Sequence, residues 1–287
     1  MRFSVGTAQF GRVYGIANKM GRPSEDSIKK IISCAQDAGV DSLDTASDYG
    51  MSEKILGNIG VEAFRVTTKL PVNNINCCDI SIWIKTNLNK SLKRLKLDSI
   101  HALLLHRTGQ IDKSNATAIL NAVESSKDKG LIKKFGVSIY DPSELDSICK
   151  FFEPDIVQAP FNLLDRRLLE SGWMERLKNR GVELHTRSTF LQGLLLLPRS
   201  KIPPKFEKWK NIFDDWDGWL YNNNQRALET CISAVSNDCV DRVIIGVDKL
   251  IQLEEILESA RQSQDILSPD LRSVSYTHLT LPTILLV

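Results

Sequence analysis

The feature that most constrains this chain is an alternation sustained from one end to the other. Eight short, mostly apolar runs recur at Ser4–Thr7, Ser42–Asp44, Arg65–Lys69, Ile100–Leu105, Lys134–Ser138, Ile156–Ala159, Val182–Thr186 and Arg242–Gly246. Strands covered on both faces need that character. Between them lie stretches with helical period. Ile28, Ile31, Ile32 and Ala35 fall on one face by the i, i+3, i+4, i+7 rule, with Ser24 placed to cap the start and Gly39 to end the helix at positive φ. Similar stretches run near Ser81–Leu95, Ser114–Lys129, Ser143–Phe151, Leu168–Arg180, Gln225–Val235 and Lys249–Ala260. Strand–helix alternation implies right-handed crossovers and a parallel sheet. Eight such units close into a (β/α)₈ TIM barrel, an α/β fold that occupies about 250 residues as a single domain. A doubly wound dinucleotide fold would want G-x-G-x-x-G after the first strand, and Gly6-Thr7-Ala8-Gln9-Phe10-Gly11 lacks that spacing. The barrel is the expectation, over residues 1–273. Residues 274–287, ending Leu-Thr-Leu-Pro-Thr-Ile-Leu-Leu-Val, resemble a translated sequencing adaptor and are expected to be a non-native tail; His278 is given no role.

Charge excludes two classes of partner. Thirty-seven Lys and Arg against thirty-five Asp and Glu leave +2 over 287 residues. Nucleic-acid and anionic-membrane binders need concentrated positive charge, so neither is expected. The longest apolar run, near Leu194–Pro198, is far below the roughly 20 residues that span a bilayer. The start, Met1-Arg2-Phe3-Ser4-Val5-Gly6, carries no apolar signal segment, and the expected compartment is the cytoplasm. Cys34, Cys77, Cys78, Cys149, Cys231 and Cys239 form no C-x-x-C pair and read as free thiols; no metal site is expected. One connection breaks the rhythm. About 35 residues after the seventh strand carry Phe206, Trp209, Phe213, Trp216, Trp219 and Tyr221. They read either as a substrate-pocket wall or as an extra helix docked by its rings.

In a barrel the reactive rim lies at the strands' C-terminal ends. Asp44 ends the second run, Lys69 the third, and His106 follows the fourth; Tyr49 sits in the turn after Asp44. Singly, each has an ordinary explanation as a turn cap, a surface lysine, a core histidine or a packing phenol. Together they bring a carboxylate, an ammonium, an imidazole and a phenol to one rim. That set suits carbonyl reduction. A phenol, with pKa ~10, becomes a usable acid if a neighbouring ammonium lowers that value, a carboxylate holds the ammonium, and an imidazole orients the carbonyl oxygen.

Asp44-Thr45-Ala46-x-x-Tyr49-Gly50-x-Ser52-Glu53, Thr68-Lys69 and Leu103-Leu104-Leu105-His106 closely resemble the aldo-keto reductase superfamily, as do Gly6-Thr7-x-x-Phe10-Gly11 and Ser91-Leu92-x-x-Leu95. The resemblance implies a reversible, NAD(P)H-dependent oxidoreductase acting on an aldehyde or ketone, with Asp44, Tyr49, Lys69 and His106 catalytic. Its cofactor is usually NADPH, bound without the Rossmann fingerprint. It further implies cofactor roles for Gly6, Thr7 and Asp44 near the first strands. Ser138 and Gln158 (with Asn162 four residues on) fall where the family holds the carboxamide, although Ile139 replaces the family's Asn. Arg187 stands where an aromatic residue commonly underlies the nicotinamide. Ser188, Leu191 and Gly193 match the pyrophosphate loop, and Gly246, Gln252 and Glu255 the adenosine end. Asp248 would repel a 2′-phosphate and Lys249 would offset it, leaving NADPH against NADH open but leaning to NADPH. Tyr14, Tyr49 and His106 are the expected substrate contacts. The partner is a small-molecule carbonyl compound; oligomeric state is not legible. The same barrel also serves as a nicotinamide-binding regulatory or redox-sensing subunit with little turnover, which is the alternative.

Overall fold

A computed structural model describes residues 2–72, 79–262 and 269. Eight parallel strands close into one barrel in sequence order: β1 Phe3–Gly6, β2 Ser42–Asp44, β3 Arg65–Lys69, β4 Ile100–Leu105, β5 Ile132–Ser138, β6 Ile156–Pro160, β7 Glu183–Arg187 and β8 Arg242–Gly246. β1 pairs with β8 in parallel, Phe3 opposite Val243 and Gly6 opposite Gly246, so the ring has no free edge. The expected strands all form, within two residues at either end.

Alternation along each strand divides the residues between two environments. Outward positions such as Val5, Leu43, Val66, Leu103, Val137 and Leu184 are buried with helix residues in one core. The first long helix, Glu25–Asp37, supplies Ile28, Ile31, Ile32 and Ala35 to it; Ser24 caps it by accepting from the Ser27 amide. Inward positions are largely polar. Ser4 and Ser42 share a hydrogen bond of 3.0 Å across β1 and β2, and Ala102, Leu104 and Ile156 form a small separate apolar cluster. At the barrel's floor Glu183 accepts from Lys134 and from His185 Nε2 (2.8 Å), while Arg242 donates to Asp41 (2.6 Å).

The aromatic segment after β7 is a docked helix, Lys210–Asn222. Phe213 and Trp216 are buried, Phe206 just ahead of it is buried too, and Trp216 Nε1 donates to the Leu195 carbonyl. None of these rings lines the large cavity, and Tyr221 is exposed. Another expected helix, Leu168–Arg180, is broken in two because Gly172 adopts φ +73° between Arg167–Glu170 and Trp173–Asn179. Among the described residues no helix is long and apolar enough to cross a membrane, and no group of His, Cys, Asp and Glu is placed to hold a metal. Cys34, Cys149, Cys231 and Cys239 are free. Cys77, Cys78 and residues 274–287 lie outside the described residues.

Candidate active site

The rim is built from short-range constraints. Tyr49 lies in the turn between β2 and the helix Ser52–Ile59, and that turn is pinned from beneath. Thr45 Oγ1 donates to Ser52 Oγ (3.1 Å), Ser52 Oγ to Thr7 Oγ1 (2.8 Å), and Thr7 Oγ1 to the Asp44 carbonyl (2.9 Å). Glu53 is buried but paired, accepting from Thr68 Oγ1 (2.6 Å) and from Arg94 Nε (2.6 Å). Gly11 packs directly on the turn. A Cβ there would sit 1.6 Å from the Tyr49 carbonyl oxygen, so any side chain would push the turn away. The Ser52-Glu53 and Gly11 signals in the sequence thus act on the position of Tyr49.

Register brings the inward ends of β2 and β3 together: Asp44 opposes Thr67, two residues before Lys69. Lys69 Nζ lies 2.7 Å from Asp44 Oδ2 and donates also to the Thr45 carbonyl (2.9 Å), with the lysine fully buried. Gln158 Nε2 from β6 donates to the other Asp44 oxygen (2.7 Å). Lys69 Nζ stands 5.0 Å from the centre of the Tyr49 ring, and the His106 ring meets Tyr49 edge-on at 5.9 Å. His106 Nδ1 is 3.6 Å from Asp48 Oδ2, just beyond hydrogen-bond length, while Asp48 accepts from the Val72 amide (2.8 Å).

Burial sets the protonation states. It pulls His106 below the ordinary histidine value, against the pull of Asp48, so the imidazole is neutral at pH 7. Burial also lowers Lys69, with Asp44 acting against it. The expectation of an acidified phenol is corrected here. Burial, reinforced by the Asp44 charge, pushes Tyr49 above the usual phenol value, while Arg187 and Arg12 pull against it. A sequence shows which cations are near a phenol but not how thoroughly water is excluded from it.

A cavity of about 440 Å³ opens over this group. Gly6, Thr7, Tyr14, Asp44, Tyr49, His106, Ser138, Gln158 and Arg187 are among the residues that line it, as are Ser188, Gly193, Gly246, Gln252 and Glu255. Lys69 does not line it and connects to it through Asp44. Leu191 is placed differently from its expected loop role, since its side chain packs into the hydrophobic core. Asn162 is also off the cavity, its Oδ1 accepting from the Leu164 and Asp165 amides. Gln252 Oε1 accepts from the Asp248 and Lys249 amides (2.7 and 3.1 Å) and so fixes the turn after β8. Sequence reasoning missed Tyr140, Asn18, Thr189 and Gln192. Tyr140 follows Ile139 directly, two residues past the Ser138 that ends β5, and the Arg187 guanidinium covers its ring at 4.6 Å.

The loop after β7 is wound tightly. Ser188, Leu191, Gln192 and Gly193 all adopt positive φ, three of them without being glycine, and the Leu191 amide donates to the Ser188 carbonyl (2.9 Å). Thr189 Oγ1 is buried and has no hydrogen-bond partner among the described residues. The Ser188 and Thr189 hydroxyls, both on residues that line the cavity, are donors that suit a dinucleotide's phosphates.

The chain matches the model of the aldo/keto reductase family over residues 2–266. It belongs to that family. It is accordingly an NAD(P)H-dependent oxidoreductase. The oxidoreductase YqkF of Bacillus subtilis (strain 168), itself uncharacterised, is 26% identical over 254 residues, covering 80% of this chain and 81% of that one. The L-glyceraldehyde 3-phosphate reductase of Escherichia coli (strain K12) is 26% identical over 276 residues, covering 82% and 79%. Among solved structures, the holo form of aldo-keto reductase AKR11C1 from Bacillus halodurans superposes with a TM-score of 0.72 at 20% identity, covering 93% of this chain and 88% of that one. At that identity the likeness is one of fold.

Proposed function

We propose that this aldo/keto reductase reduces a small aldehyde or ketone to its alcohol, reversibly, with Tyr49 as the general acid. The observation that carries this reading is the buried Lys69–Asp44 pair, at 2.7 Å, beneath a phenol that faces a cavity with a neutral imidazole at its edge. The cofactor is NADPH in preference to NADH, as the family resemblance implies. Ser188, Thr189 and Gly193 would hold its phosphates, Ser138 and Gln158 its carboxamide, and Gly246, Gln252 and Glu255 its adenosine. When bound, the reduced nicotinamide supplies the hydride that adds to the carbonyl carbon.

The chain's own residues handle the proton. His106, neutral, donates a hydrogen bond to the carbonyl oxygen and orients it. Tyr49 gives its hydroxyl proton to that oxygen as the new C–H bond forms, and the phenolate left behind is stabilised by the Lys69 ammonium. Asp44 keeps Lys69 in place. A phenol held above its usual pKa is fully protonated at neutral pH, which is the form reduction consumes; alcohol oxidation needs the phenolate and gains as pH rises. Tyr49→Phe tests the assignment with any competent aldehyde. Turnover should fall by about 10²–10⁴-fold while cofactor binding survives, and near-normal turnover would remove Tyr49 from the mechanism.

A further inference from the structure

We infer that Arg12 recognises an anionic group, carboxylate or phosphate, on the carbonyl substrate, so that the enzyme selects short acidic aldehydes or ketones over neutral ones. This rests on the reductase reading and deepens it. The Arg12 guanidinium lies 5.6 Å from the centre of the Tyr14 ring and 5.5 Å from that of Tyr49. Both rings line the cavity, and Arg12 stands beside them without itself being part of the lining. Among the described residues its buried Nε makes no hydrogen bond, which leaves a desolvated donor without an acceptor.

Among the described residues no carboxylate forms an ion pair with Arg12, although its charge helps to hold Asp48 ionised. Among the described residues neither Arg12 nor Arg187 belongs to an ion pair, and the nearby carboxylates are engaged elsewhere, Asp44 with Lys69 and Gln158, Asp48 with the Val72 amide beside His106. Arg187 is fixed by donating to the Ile139 carbonyl (2.9 Å) and by the Tyr140 ring. The Arg12 side chain is held by two π-faces, which steady a guanidinium without using its N–H donors. A planar fork without an acid partner matches a carboxylate or phosphate. Because the same cation lies against Tyr49, the anion and the reducible carbonyl must be only a few bonds apart.

The test compares matched pairs: 4-oxobutanoate against 4-oxobutanamide, and glyceraldehyde 3-phosphate against glyceraldehyde. The kcat/KM ratio of charged over neutral member should be about tenfold or more, reside in KM, and shrink with added salt. Whichever pair shows the larger ratio identifies carboxylate or phosphate. Arg12→Met should bring the ratio to about 1, and Arg12→Lys should retain part of it. Equal kcat/KM within both pairs, or a ratio that Arg12→Met leaves intact, overturns the inference while the reductase reading stands. A calorimetric arm keeps the two claims separate. 4-Oxobutanoate titrated into Tyr49→Phe should bind, and about tenfold more weakly once Arg12→Met is added. That result without turnover in the unmodified enzyme supports the Arg12 site and sinks the catalytic reading instead; affinity indifferent to Arg12 overturns the site.

Discussion

Asp48 and Asp248 show how little a residue's letter says about its state. Burial works to raise Asp48, yet His106 and the Val72 amide together hold it below the usual carboxylate range. Asp248 is pushed up to about 6 by burial, with Lys249 pulling the other way, and Asn18 Nδ2 donates to it at 3.2 Å. Its folded value therefore lies above its unfolded one. The folded state binds the extra proton between about pH 4 and 6, so this group's contribution to stability declines as pH rises through that window and stays unfavourable above it. Asp248→Asn should raise Tm at pH 7.5 and leave it nearly unchanged at pH 4; an equal shift at both would refute the buried-charge account. If the adenosine end lies there as proposed, the same substitution should tighten NADPH more than NADH in a fluorescence titration, since a carboxylate would oppose the 2′-phosphate. The rim quartet was legible in the sequence because each member follows a strand end or its turn. Arg12 and Tyr140 were not, since their importance comes from which rings the loops fold against.

At the scale of elements, strand positions were readable because a doubly covered strand leaves a short apolar run, here repeated eight times at helix-length intervals. Helix ends were less readable. The break at Gly172 depends on its left-handed backbone, and the aromatic helix 210–222 was ambiguous because rings serve a pocket and a packed face alike. Inward-facing polar residues were the least visible feature. Glu183 opens β7 on the barrel floor, where Lys134, His101, His185 and Arg242 surround it and hold its carboxyl far below the usual range in spite of burial. A depressed value means stability that is present above pH ~4.5 and is lost progressively as pH falls below it. Glu183→Gln should cost about 3 kcal/mol at pH 7, as removal of one partner from a buried ionic cluster does, and clearly less at pH 3. Urea unfolding at the two pH values measures this.

The molecule as a whole is a closed ring. β1 is hydrogen-bonded to β2 on one side and to β8 on the other. A chain ending at Asp241 should leave β1 and β7 with bare edges, lose its cooperative thermal transition and aggregate, as circular dichroism and light scattering would show. Closure was predictable from the number of units, because eight strands at the usual tilt bring the last beside the first.

The seam between β1 and β8 also has a history in time. On a ribosome adding about 5–20 residues per second, Val243–Gly246 is made roughly 10–50 seconds after Phe3–Gly6. For that interval the newborn chain carries an unfinished margin, and whatever shields nascent polypeptides in the host must shield this one until its final stave arrives.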